Sequence, residues 1–582
     1  MFQMKDFVKM ILAVVCGLLI VCILSLFFTI GAIGSLAVSS KSAQAPLPSS
    51  GILRMDFSQL SIAERESADN PLAMLQGMDG EQVSLLNAVR AIKAAASDPA
   101  VKAIYIRPDG CQDGVAVLQE VRTALSEFRA SGKPVVAYVE APSTGSYYLA
   151  SVADKVYMTS HIGAQTMLLG VGSQMIFYKD LLDKLGVNVQ LIRHGKYKSA
   201  GEPFIRSTPS QENLDQNQSM IDSMWGCLAS AIAESRSISV EELNRLIDDL
   251  VLVSPQDFLE SGLVDELLTR EQLKEQLAKL AVKDDFKDVK MFSLGDYASA
   301  KLQPSKSKEK VAIIYADGQI VDADAMGQVC GDKLAATIAK VRADSSVKAV
   351  VFRVNSPGGS VLASEKIKAE IDALGAVKPV VASYGEYAAS GGYWISSACE
   401  KIFSDPVTLT GSIGVFSIVP DFSKVMHDLG HVNVTSVSSN KHTDMFTMMR
   451  PFDNAEYQYM LASVEEVYDR FTGIVAQGRG LEKEYVDEIG QGRVWTGAQA
   501  AQIGLVDELG GLVDAIHWAG IAAGTPDNPA IVEYPAPASM FEEMFASMLG
   551  SGDAEQVIAR SLKKSRGAVN MARLPYDYKI CY

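Results

Sequence analysis

The strongest constraint on this chain is that it repeats itself. At a period near 246 residues, V-K-A-I-Y-I-R at 101–107 answers V-K-A-V-V-F-R at 347–353, and G-K-P-V-V-A at 132–137 answers V-K-P-V-V-A at 377–382. Y-Y-L-A-S at 147–151 matches Y-W-I-S-S at 393–397, L-G-V-N-V at 185–189 matches L-G-H-V-N-V at 429–434, and S-G-L-V-D-E-L at 261–267 matches I-G-L-V-D-E-L at 503–509. Solenoid repeats run about 20–50 residues, so a spacing this long means a duplicated domain. A chain of 582 residues also exceeds what one hydrophobic core accommodates.

Within each copy, short β-branched runs such as 311–315, 349–354 and 379–383 alternate with helical stretches. One of these, 363–374, carries Ile367, Ile371 and Leu374 at near-helical spacing. Strand, helix, strand in series predicts an α/β fold of βαβ units with mostly parallel sheets, whose functional groups sit on the loops leaving the strands. The predicted organisation is a first repeat at 45–296, a linker at 297–310 containing Pro304 and alternating Ser and Lys, a second repeat at 311–525 and a tail at 526–582. In the tail, Met540, Phe541, Met544, Phe545, Met548 and Leu549 form an apolar stripe, more often core or subunit contact than substrate groove.

Ahead of the repeats, residues 10–38 carry no charge, enough to cross a bilayer once with some tilt. Lys5 and Lys9 precede this segment, so residues 1–9 are expected in the cytoplasm and the remainder outside it. The stretch exceeds the ~7–15 residue apolar core of a cleaved signal peptide, which favours an uncleaved anchor. The chain as a whole has 48% hydrophobic and 21% charged residues, a composition whose bulk should fold in water. A net charge of -16 without a long basic run argues against nucleic acid as a partner. The seven cysteines show no paired or metal-ligand spacing.

The chemistry concentrates in two Gly-rich strand-to-helix junctions of the second copy, N-S-P-G-G-S at 355–360 and A-A-S-G-G-Y-W at 388–394. Helix starts expose unpaired N–H groups, and glycine lets a substrate backbone approach them. Ser390 is the candidate nucleophile, with an oxyanion hole from Gly391 and either Gly358 or Gly359. A third small-residue stretch, T-L-T-G-S-I-G at 408–414, could line the same pocket with Ser412. Any one of these alone would more often be a tight turn with a capping serine. Their combination is more specific.

None of the six histidines recommends itself as the base, and His427 with His431 lacks a third ligand for a metal. The better base candidate is Lys198, in H-G-K-Y-K-S-A-G-E-P-F at 194–204 of the first copy, with Lys196 as its rival. Aligning the copies sets Lys198 opposite Thr443 and Ser390 opposite Thr144, the complementary loss expected of one site assembled from both halves. To act near neutrality the lysine must be desolvated or stand beside another cation, for which Lys196 and apolar walls are both available.

Y-K-S-A at 197–200, N-S-P-G-G-S, A-A-S-G-G-Y-W-I-S and L-T-G-S-I-G, in that order and in those halves, resemble the signal peptide peptidase A (protease IV) family in its long duplicated form. The resemblance implies a fold related to the Clp protease and crotonase superfamily. It implies Ser390 as nucleophile, Lys198 as general base and Ser412 as a hydroxyl that orients the lysine. It further implies a homotetramer anchored in the bacterial inner membrane, its catalytic part on the periplasmic side, that digests signal peptide remnants without a metal or cofactor. Two other classes stay in view: a crotonase-type acyl-thioester enzyme, which would use similar oxyanion amides, and a non-catalytic membrane scaffold.

Overall fold

A computed structural model describes residues 47–65, 80–163, 165–325, 327–525, 529–535 and 571–573. The expected anchor at 10–38 and the apolar stripe of the tail lie outside them. Among the described residues no helix is long and apolar enough to cross a membrane.

The duplication is reproduced strand by strand. The first sheet runs, in spatial order, Glu266–Leu268, Lys155–Thr159, Val135–Val139, Val101–Arg107, Gly51–Asp56, Met291–Ser293, all parallel. In the second, Glu508–Leu509, Lys401–Ser404, Val380–Ala389, Val347–Ser356, Lys310–Asp317 and Ala530–Tyr534 take the same places, again parallel. The short strand Leu409–Gly411 adds beside Ala389, with Val494–Thr496 antiparallel to it. Ala530–Tyr534 thus answers Met291–Ser293 and belongs to the second sheet, beyond the boundary drawn at 525 from the sequence. The helix Leu294–Lys301 likewise occupies the start of the expected linker.

The central strands are continuous apolar runs because helices cover both faces of a parallel sheet. In the strand Val347–Ser356, for example, Val347, Ala349, Val350, Val351, Phe352 and Val354 are all buried. Parallel neighbours need long crossovers. The helix Val361–Gly375 provides one, started by Ser360, whose Oγ accepts the Ala363 N–H at 3.3 Å.

A third sheet joins the two halves. In it Asn188–His194 of the first half lies antiparallel to Val415–Asp421 of the second over seven residue pairs. Gly358–Ser360 pairs antiparallel with Met571–Arg573, which also bridges to Phe416. A strand from the far end of the chain therefore lies between the glycine-rich turn and the strand that receives the first half.

The halves are also locked by buried charge. Arg353 is fully buried and bonds Glu64, Glu120 Oε1 at 2.9 Å, Ser383 Oγ at 2.8 Å and the Tyr384 carbonyl at 2.9 Å. Glu120 belongs to the first half, and its other oxygen accepts the Leu512 N–H at 2.7 Å, at the start of a second-half helix. In return Glu386 accepts the Ala116 and Val117 N–H groups at 2.7 and 3.2 Å, at the start of a first-half helix. Burial raises the Glu386 carboxyl to about 7 and also lifts Glu120.

Removing one partner from a buried ionic network leaves the others uncompensated. Arg353→Met should therefore cost about 3–5 kcal/mol at neutral pH by urea denaturation. A carboxyl lifted by burial is penalised above its unfolded range, so this cost should shrink as pH falls and Glu120 takes up a proton. A cost independent of pH would show that the carboxylates are not what the arginine holds.

Candidate active site

The strand Val380–Ala389 ends at Ser390, and the helix Gly391–Ser396 starts directly after it. Ser390 has φ 54° and ψ −113°, a conformation that costs a non-glycine residue about 1–3 kcal/mol and persists only where its surroundings enforce it. Here its N–H donates to the Gly411 carbonyl and its own carbonyl accepts the Trp394 N–H, each at 2.8 Å. The turn packs tightly on the other glycine-rich junction: a Cβ at Gly392 would come within 2.6 Å of the Ser356 carbonyl.

Lys198 follows the strand Asn188–His194, so the pairing with Val415–Asp421 carries it to the second half. Its loop is fastened by the Tyr197 N–H to the Gln491 carbonyl at 2.9 Å and by Arg193, which donates to the Lys198 carbonyl at 2.9 Å. Arg193 is held by Glu202, fully buried and also bonded to Ser210 and Asn213. Gly492 closes against the lysine, with φ +80° and room for no side chain: a Cβ there would stand 2.6 Å from the Lys198 Cβ.

The result is an amine against an alcohol. Lys198 Nζ lies 2.8 Å from Ser390 Oγ, 3.0 Å from Ser412 Oγ and 3.1 Å from the Ser412 carbonyl. Lysine and both serines are fully buried. All three polar neighbours are uncharged, and burial alone pulls the lysine well below its ordinary 10.5. A neutral amine has two N–H groups and one lone pair. If the N–H groups serve the Ser412 carbonyl and hydroxyl, the lone pair is left to accept the Ser390 O–H. The Ser412 hydroxyl is then free to donate onward to the Gly492 carbonyl at 3.4 Å.

Of the two explanations allowed for a neutral lysine, apolar enclosure is therefore the one present. Lys196 is exposed, its Nζ 5.2 Å from the Tyr197 ring centre, and contributes nothing to the shift. The strand Gly358–Ser360 packs against the helix that begins at Gly391, directly after the serine. Gly358 has φ +93°, and its N–H donates to Ser356 Oγ at 3.2 Å, while Gly359 is in register with Ile320, whose carbonyl leaves no room for a Cβ. The Thr144 hydroxyl of the first half donates to the Gly170 carbonyl at 3.0 Å, and Thr443 is exposed. The Ser412 carbonyl, Gly492 and the Arg193–Glu202 pair were not legible in the sequence, although G-E-P at 201–203 in the lysine motif marked the place of Glu202.

Among the described residues one group, His442, Asp453 and Glu456, has metal-like spacing. Of these, Glu456 is engaged by Arg450 at 2.6 Å and by His442 at 2.8 Å, and Arg450 also bonds Asp444 at 2.6 Å. His427 and His431 are exposed.

A buried serine turned out on a strand-to-helix elbow, on an α/β scaffold of parallel sheets, belongs to the class of serine peptidases. Residues 127–283 and 372–525 match peptidase family S49, and the chain belongs to that family. It is 33% identical over 557 residues to Protease 4 of Haemophilus influenzae, covering 92% of this chain and 89% of that one. Protease 4 of Salmonella typhi is 36% identical over 484 residues, 80% of this chain and 77% of the relative. The chloroplastic serine protease SPPA of Arabidopsis thaliana is 30% identical over 490 residues, 81% and 70% of the two chains. Family membership sets aside the acyl-thioester enzyme and the inert scaffold: the protein is a serine peptidase.

An unfolded lysine titrates near ~10.4. Because folding lowers the value for Lys198, the unfolded chain binds the extra proton between the two values, and stability should rise with pH across that window. Measured against Lys198→Met by urea unfolding from pH 7 to 10, the wild type should gain up to about 1.4 kcal/mol per pH unit. Parallel curves would mean that the folded chain carries a protonated lysine.

Proposed function

We propose that Ser390 is the nucleophile and Lys198 the general base of this peptidase. The observation that carries the reading is the 2.8 Å contact between Nζ and Oγ in a site without charge. Lys198 takes the Ser390 proton as Oγ adds to the peptide carbonyl carbon. The oxyanion that forms is received by the Gly391 N–H and by the Gly358 N–H, the latter exchanging its 3.2 Å contact to Ser356 for the stronger charged acceptor. Gly359 is the poorer donor because it is engaged with the strand of Ile320. The lysine then passes its proton to the leaving amine, which departs as the C–N bond breaks. In the second half of the cycle Lys198 deprotonates a water that attacks the acyl ester and returns that proton to Ser390. Ser412 orients the amine through both of its oxygens.

The substrate is read as an extended, apolar peptide. The protein's own Met571–Arg573 lies as a strand against Gly358–Ser360 and Phe416, which supports a cleft that accepts main chain by β-pairing. With residues 10–38 as a membrane anchor, the natural substrates are signal peptide remnants and other hydrophobic peptides at the outer face of a bacterial inner membrane. The family resemblance in the motifs supports two Clp- or crotonase-like domains in a homotetramer.

Ser390→Ala should abolish hydrolysis of a fluorogenic peptide while leaving the thermal midpoint in place. Lys198→Ala should lower kcat/KM by about 10²–10⁴-fold, and Lys196→Ala far less. The reverse order for the two lysines would assign the base wrongly. Because the base must be unprotonated, kcat/KM of the wild type should rise with pH to a plateau, its midpoint well below 10.5. A midpoint near 10.5 would contradict a neutral resting lysine.

A further inference from the structure

Where the halves meet, a cavity of about 220 Å³ lies between the helices Leu85–Ser97 and Val115–Ala130 of the first half and the segments 405–406 and 509–514 of the second. Its buried end carries Glu120 and Asp405, and its exposed end carries Thr123, Glu127 and Asp514. Val89, Ala124 and Val513 give it apolar walls.

Three of its four carboxylates have partners. Glu127 pairs with Lys93 at 2.9 Å, Asp514 accepts the Gly511 N–H at 2.8 Å, and Glu120 is shared between Arg353 and the Leu512 N–H. Asp405 is only 3% exposed, yet its Oδ2 has no hydrogen-bond partner among the described residues. The Arg353 guanidinium is already engaged by Glu64, Glu120, Ser383 and the Tyr384 carbonyl. Burial, and after it the neighbouring Glu120, lifts the Asp405 carboxyl well above its ordinary value. That is the behaviour of an acid with no cation to answer it, whereas buried charges are ordinarily paired or ligated.

We propose that this cavity binds a small aliphatic diamine, one ammonium group meeting Asp405 at the buried end and the other meeting Asp514 at the exposed end. The lining, four carboxylates against the one ammonium of Lys93, favours a cation. A metal ion fits less well. Its ligand atoms must converge on one point, and among the described residues those of Glu120, Glu127, Asp405 and Asp514 do not reach the mutual spacing found at His442, Asp453 and Glu456. Carboxylates set apart along an apolar wall instead suit two charges joined by methylene groups.

The position of the cavity gives such a ligand a role in the fold. Both halves line it, and Glu120 in its wall is the residue through which Arg353 and the helix Leu512–Ala522 are joined to the first half. A diamine held there bridges the halves beside their ionic lock. It binds the folded chain and not the unfolded one, so it should stabilise the packing on which the meeting of Lys198 and Ser390 depends.

The test uses the full-length chain and putrescine at constant ionic strength. Isothermal titration should show one saturable site per chain, and the thermal midpoint should rise with putrescine concentration. Butylamine, with a single ammonium group, should bind about tenfold more weakly or worse. Asp405→Asn keeps the shape of the buried end but removes its charge, and should weaken putrescine by about tenfold or more. Thr123→Lys, at an exposed position, tethers an ammonium group at the mouth and should abolish the putrescine-dependent rise even if Asp405→Asn fails to fold. No saturable heat, equal affinity for butylamine and putrescine, or an undiminished response in either folded variant would each overturn the proposal. So would a site filled by calcium or magnesium and not by putrescine. Ser390→Ala should bind putrescine as the wild type does, which keeps this result separate from the catalytic reading.

Discussion

An ammonium group cannot be taken out of water without a partner, and this structure offers Lys198 none. It is surrounded by uncharged oxygens and apolar walls, so burial moves its proton equilibrium instead. Much of the surrounding architecture serves that enclosure. The lysine comes from the first half and the serine from the second, so the enclosure exists only while the halves stay packed. The strand pairing of Asn188–His194 with Val415–Asp421 sets the distance between them. Gly492 and Gly414 let backbone come against the lysine stem where any side chain would push it away.

The two halves use one fold for different ends. Strand order is retained in both sheets, including the edge strands Met291–Ser293 and Ala530–Tyr534, because parallel βαβ units pack only with helices on both faces. What diverges are the loops leaving the strands. Ser390 in its strained elbow has Thr144 as counterpart, a residue capped into an ordinary helix start. The ionic lock around Arg353 is likewise one-sided within the chain: its counterpart Arg107 stays partly open to solvent. A duplicated scaffold thus kept its core and reassigned its surfaces, one to hold the other half and one left open.

The serine and its neighbours were legible because small residues clustered at strand-to-helix junctions have few structural reasons to recur together. N-S-P-G-G-S and A-A-S-G-G-Y-W mark places where backbone must turn sharply or be approached closely, and in the structure they lead into the strand Gly358–Ser360 and the helix Gly391–Ser396. Lys198 was separable from Lys196 only through the motif around it and the repeat, since the two residues are chemically alike. Burial distinguishes them: one is sealed and the other faces water. The Ser412 carbonyl could not have been read at all, because every residue has one and only the backbone path decides where it points.

Sequence by itself determined the duplication, the parallel α/β core, the candidate serine and the half from which its base should come, all of which follow from patterns local along the chain. The tertiary structure alone decided that the amine touches the alcohol, that enclosure rather than Lys196 lowers its proton affinity, that Arg353 joins the halves, and that the chain's last described strand lies against the glycine-rich turn. Each of these depends on distances between residues hundreds of positions apart, and on the exclusion of water, neither of which any stretch of sequence encodes without the fold.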